Sequence, residues 1–181
     1  MSFYDLLKGI VKSIKKTKDR PSEIFLMKEV VAEASKWAGL HDVRGIDTFR
    51  RAVDGVADGE PWCAAFVQYC VSAVAQRYNS PISLYPSELC SSIWDNTGKG
   101  FRLDEPVPGS IIIWNYPGTI HGHTGIVLRK TDSGFIKTIE GNTRGEDGVK
   151  GVHIKIRSIK GTDSMKVLGY LNPFEWAKSN G

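Results

Sequence analysis

Cysteine is scarce in this chain: there are three in 181 residues, Cys63, Cys70 and Cys90. An odd, low number argues against a disulfide framework. There is no CxxC pair and no cysteine–histidine group with zinc spacing, so a structural zinc site of the common kinds is not expected. No stretch approaches the roughly 18 apolar residues that a membrane-spanning helix needs. Internal repeats and low-complexity tracts are absent as well. The N-terminus, Met1-Ser2-Phe3-Tyr4-Asp5, lacks the basic start, unbroken apolar stretch and small-residue cleavage site of a signal peptide. The expectation is therefore a protein made in the cytoplasm that needs release or delivery by another route if it works outside it.

A basic body is also missing. Residues 1–20 hold Lys8, Lys12, Lys15, Lys16, Lys18 and Arg20 against Asp5 and Asp19, a surplus of four that equals the formal net charge of the whole chain. The remaining 18 basic and 18 acidic residues balance. With no basic–aromatic motif in that balanced body, nucleic acid is not an expected partner.

What is present suits one globular domain with a core, since 41% of the residues are hydrophobic and 24% charged. In the arm at residues 1–20, Phe3, Leu6, Leu7, Ile10, Val11 and Ile14 fall at three-and-four spacing and predict a basic amphipathic helix. Such a helix suits contact with an anionic membrane surface or a partner; packing on its own domain or on a second subunit is the plainer alternative. The domain proper is read over residues 22–176. Helices are expected over Ser22–Ala38, in a short segment after Asp47, over Trp62–Tyr78 and over Ser87–Asp95. Strands are expected over Ser110–Trp114, His123–Lys130, Phe135–Glu140, Val149–Arg157 and Val167–Leu171. Helices first and strands second is the α+β pattern, with N-terminal helices packed on a C-terminal antiparallel β-sheet.

The chemistry centres on Cys63. It follows Pro61-Trp62, a helix entry, so the free backbone N–H groups of the first turn favour a thiolate there and offer donors to an oxyanion. Taken alone, a cysteine at a helix start is most often a buried core residue. Cys70 and Cys90 are read that way. His123, in Gly122-His123-Thr124-Gly125, heads a strand whose flanking glycines permit close backbone approach. It is the candidate base. Glu140, in Glu140-Gly141-Asn142-Thr143, is the candidate carboxylate that orients the imidazole, with Asn142 in a similar or supporting role. Trp62, Trp114 and His121 are candidate substrate-binding residues. For the tryptophans a place in the core is the competing reading; for His121 it is a solvated loop.

These segments resemble the CHAP family, the cysteine- and histidine-dependent amidohydrolases/peptidases of the papain-like superfamily. The matching blocks are Pro61-Trp62-Cys63-Ala64-Ala65-Phe66-Val67, Pro108-Gly109-Ser110-Ile111-Ile112, Gly122-His123-Thr124-Gly125-Ile126-Val127 and Glu140-Gly141-Asn142-Thr143. The resemblance implies a papain-like α+β fold and hydrolysis of an amide bond through Cys63, His123 and Glu140. Its implied substrate is peptidoglycan, cut as an N-acetylmuramoyl-L-alanine amidase or a peptide-stem endopeptidase, in a phage lysin or a delivered wall-degrading toxin. Some members act instead on glutathionylspermidine, and a catalytically silent binding module is a further alternative. No cofactor is implied. Asp54 and Asp58 supply only two carboxylates where some members bind calcium, so no metal is expected.

Overall fold

The computed structural model describes residues 21–54, 61–131 and 134–175. The basic segment at residues 1–20 and residues 55–60, with Asp58, lie outside them.

Helix α1 spans Glu23–Ser35. It starts where the Ser22 hydroxyl accepts from the Phe25 N–H and places Leu26, Met27, Val30 and Ala34 in the core. Helix α2 spans Val43–Asp54 and starts earlier than its apolar residues suggest. Asp42 Oδ1 accepts from the Gly45 N–H at 2.9 Å, a cap that offsets glycine in the first turn. Helix α3, Cys63–Tyr78, is the central one: Phe66, Val67, Cys70, Val71 and Val74 are fully buried. It ends on Asn79, which takes the left-handed conformation (φ 48°) common at helix C-termini. Helix α4 is short, Cys90–Asn96.

Six strands follow: β1 (Arg102–Leu103), β2 (Ile111–Asn115), β3 (Gly122–Lys130), β4 (Phe135–Arg144), β5 (Lys150–Ser158) and β6 (Lys166–Leu171). They form one antiparallel sheet in the order β1-β6-β2-β3-β4-β5. The α+β expectation therefore holds, with the helices N-terminal to an antiparallel sheet. The two-residue β1 is an addition too short to leave a period in the sequence.

Strand alternation explains how the sheet is covered. Ile111 and Ile113 on β2 join the main core beneath the helices, while Ile112 and Trp114 join a second cluster with Val127, Ile136 and Tyr170. Successive side chains point to opposite faces, so a run buried throughout needs cover on both.

The sheet meets the start of α3 at one point of close approach. A Cβ on Gly141 would lie 2.7 Å from Phe66 Cβ and 2.7 Å from Trp62 Cζ3. Only glycine lets β4 and the Cys63 end of α3 come this close.

Candidate active site

Cys63 is the first residue of α3, and Trp62 before it makes no side-chain cap. The first intrahelical bond is Phe66 N–H to Trp62 O, so the amides of Cys63, Ala64 and Ala65 lack intrahelical partners. Cys63 and His123 are within hydrogen-bonding reach of each other. His123 Nε2 lies 2.9 Å from Glu140 Oε2, which leaves Nδ1 for the thiol. Cys63, His123 and Glu140 thus form one continuous chain of contacts, drawn from α3, β3 and β4.

Glu140 is fully buried, and its oxygens are saturated with donors. Thr138 Oγ1 donates to Oε1 at 2.6 Å, Arg157 Nε donates to Oε1 at 2.8 Å, and Arg157 Nη2 donates to Oε2 beside His123. Burial pushes the carboxyl upward, but the hydrogen bonds from Arg157 and His123 prevail and hold its pKa at about 2. It is an anion at every physiological pH. Burial likewise works against a charged His123, yet the hydrogen bonds to Cys63 and Glu140 raise its pKa to about 9. Cys63 is lowered well below the ordinary thiol value. The largest cause is a hydrogen bond from Cys90; burial opposes it, and His123 and the Thr124 N–H add to it. Both shifts run in the direction that favours a thiolate–imidazolium pair over a neutral thiol and imidazole.

Trp114 backs the imidazole. Its ring stacks on His123 with centroids 5.6 Å apart and planes at 22°, and Arg157 Cζ lies 5.8 Å from its centroid. Trp114 is wholly buried, so it supports His123 from behind and does not line the cleft as expected of a substrate-binding residue. Trp62 is placed in the core as well. It stacks near Phe49 at 5.9 Å and is 2% exposed. His121, by contrast, is exposed and does border the cleft beside His123.

Asn142 also borders the cleft. The register of β4 against β5 shifts between Glu140 and Thr143, and Asn142 adopts a left-handed conformation (φ 57°). This bulge breaks the alternation that would put residues 140 and 142 on the same face. The hydrogen bond to His123 comes from Glu140, while Asn142 Oδ1 is buried and unpartnered.

The cleft holds about 690 Å³, within the range of ligand-binding clefts. Cys63 and His123 lie on its floor, and Tyr116, Arg157, Leu89 and Met165 are among the residues of its walls. Two participants escaped sequence reasoning. Arg157 was given no role and entered only as the last residue of the strand expected over Val149–Arg157. Cys90 read as core; it is indeed buried, but its sulfur lies 3.9 Å from that of Cys63.

The CHAP domain family model matches residues 55–142, which include Cys63, His123, Glu140 and Asn142. The chain carries a CHAP domain. CHAP domains are typically cysteine- and histidine-dependent amidohydrolases or peptidases. The match ends at Asn142, so β5, β6 and Arg157 lie beyond it. No curated protein matches the chain. Among the described residues, no group of three histidine, cysteine or acidic side chains is arranged to hold a metal. No helix there is long and apolar enough to cross a membrane.

Proposed function

We propose that this CHAP domain hydrolyses an amide bond of peptidoglycan, with Cys63 as nucleophile, His123 as acid–base and Glu140 as the group that orients and charges His123. The observation that carries the reading is the unbroken contact chain from a helix-start thiol through imidazole to a buried carboxylate.

The Cys63 thiolate attacks the amide carbon, and the carbonyl electrons move onto oxygen. The Cys63 backbone N–H, free at the helix start, is one donor to that oxyanion. The imidazolium of His123 gives its proton to the amine, which leaves as the C–N bond breaks. A thioester remains on Cys63. His123, now neutral, takes a proton from water as the water attacks the thioester. Collapse of this second intermediate releases the acid and restores the thiolate–imidazolium pair. Throughout, Glu140 keeps Nε2 protonated and Nδ1 turned toward the sulfur.

The substrate lies either at the sugar–peptide junction or within the peptide stem, in a lysin or a delivered toxin. The deciding experiment treats purified peptidoglycan with the wild-type protein and Cys63→Ala and identifies the fragments by mass spectrometry. New amine and carboxyl ends are expected from the wild type alone, and their position names the bond. Equal cleavage by Cys63→Ala would overturn the assignment.

A further inference from the structure

Hydrolysis as proposed gives Cys90 no bond to make or break. Cys90 Sγ lies 3.9 Å from Cys63 Sγ, both cysteines are free, and both line the same cleft. Their proximity is built into the packing. Gln68 on α3 clamps the segment leading into α4: its Nε2 donates to Ser87 O at 2.6 Å, and its Oε1 accepts from the Ser87 N–H at 3.2 Å. From the other side, Cys90 packs against β3 at Gly122, where an added Cβ would lie 3.2 Å from Cys90 Cβ.

We propose that Cys63 and Cys90 form a dithiol site that hydroperoxides oxidise to an intramolecular disulfide, which blocks the nucleophile until a thiol reductant reopens it. A disulfide needs its sulfurs at about 2.04 Å, so they must close by roughly 2 Å, a displacement on the scale of side-chain rotation. In the first step the Cys63 thiolate attacks one peroxide oxygen. The S–O bond forms and the O–O bond breaks. The departing oxygen takes a proton from the His123 imidazolium and leaves as water or an alcohol. Sulfur is oxidised by two electrons and the peroxide is reduced by the same two, leaving a sulfenic acid. In the second step Cys90 sulfur attacks the sulfenic sulfur. The S–S bond forms, the S–O bond breaks, and the hydroxide leaves as water with the thiol proton of Cys90.

The asymmetry of the pair supports this order. The hydrogen bond between the sulfurs is the largest influence on both thiols, lowering Cys63 and raising Cys90, with burial also raising Cys90. The proton thus resides on Cys90, and Cys63 is the sulfur that meets the oxidant. Cys70, fully buried two turns along α3, has no part in the exchange. The effect on hydrolysis rests on Cys63 being the nucleophile, whereas formation of the bond does not.

The test exposes the full chain to stoichiometric hydrogen peroxide, blocks residual thiols, and maps peptides without reduction. A peptide joining Cys63 to Cys90 is expected, with loss of peptidoglycan hydrolysis and its return on adding dithiothreitol. In Cys90→Ser, prolonged peroxide is expected to drive Cys63 to the sulfinic acid, and dithiothreitol then fails to restore activity. Sulfinic acid at Cys63 in the wild type without the joined peptide would overturn the proposal. So would equal recovery of wild type and Cys90→Ser. If the joined peptide forms but no preparation cleaves peptidoglycan, it is the hydrolase reading that fails and the dithiol site that stands.

Discussion

Glu140 reaches His123 through the space that Gly125 leaves open: a Cβ on residue 125 would lie 2.7 Å from Glu140 Cγ. The spacing Gly122-His123-Thr124-Gly125 thereby acquires a physical cause on each side of the histidine. Gly122 admits Cys90 and the Trp114 carbonyl, and Gly125 admits the carboxylate.

Gly125→Ala is expected to displace Glu140 from Nε2 and leave the sheet paired. Loss of a charge-assisted hydrogen bond is worth about 1.5–3 kcal/mol, or about ten- to a hundredfold in kcat. Steady-state kinetics beside a circular dichroism spectrum will check it. Wild-type kcat in a folded variant would show that the crossing has no catalytic weight.

Arg157 contributes the largest favourable influence on Glu140, and it stands outside the stretch matched by the family model. Replacing it with methionine keeps the length of the stem and removes both donors to the buried carboxylate. Glu140 then loses its main reason to stay ionised, and the basicity that it lends to His123 falls with it. The expected result is a lower kcat with little change in KM, and an alkaline limb of the rate profile shifted to lower pH. Arg157→Lys should recover part of the rate because it returns a charge but not the two-point geometry. A pure loss of stability would leave the limb where it was.

Cys63, His123 and Glu140, which the fold brings together, could be singled out in the sequence because each sits in a local signature: a helix entry at Pro61-Trp62, a glycine-flanked strand start, and a Glu-Gly-Asn turn. Arg157 had no such mark. Its place is set by the pairing Ile136↔Arg157 between β4 and β5, a non-local register that composition does not reveal. Cys90 was hidden for the same reason, 27 residues from Cys63 and on another helix. Trp114 is different. Alternation along Ile111–Asn115 already places it with Ile112 on the face away from the helices, so its burial could have been read. For Asn142 the bulge decided, and a one-residue irregularity leaves no period to detect. The basic helix expected over residues 1–20 falls outside the described residues.

The rate should follow a bell in pH. On the acid side the Cys63 thiolate, held well below its ordinary range, takes up a proton. On the alkaline side His123 loses its proton near its pKa of about 9, and the leaving amine has no acid to draw on. Stability follows the same groups. The His123 pKa is raised in the fold from its ordinary 6.5, so its contribution is full below pH 6.5 and is lost as pH climbs through about 9. Glu140 is lowered from 4.5 to about 2, so its contribution is present above pH 4.5 and is lost as pH falls through about 2. Urea midpoints from pH 2 to 10 will test this. Between pH 6.5 and about 9 unfolding takes a proton from His123 but gives one to Cys63, which the fold holds lowered, so the midpoint should stay level across that window, and a steep change there would refute the pairing.

Alkylation separates an active hydrolase from a silent module that merely keeps the fold. Three thiols share one chain, and the fold assigns them different reactivities. Burial raises Cys70 well above the ordinary thiol range, and it is wholly inaccessible. The hydrogen bond to Cys63, and burial after it, raises Cys90. Only Cys63 is lowered, and it borders the cleft. Iodoacetamide near neutral pH should therefore modify Cys63 first, with Cys90 slow and Cys70 protected until the protein unfolds. The rate at Cys63 should stay high well into the acid range, because its proton resides elsewhere in the site. His123→Ala should lessen that advantage, since the imidazolium is one of its sources beside the hydrogen bond from Cys90. Peptide mapping over time reads all three sites in one experiment. Similar slow labelling of all three would mean that the contact chain from Cys63 to Glu140 does not activate the sulfur, and the domain would then be better described as a binding module.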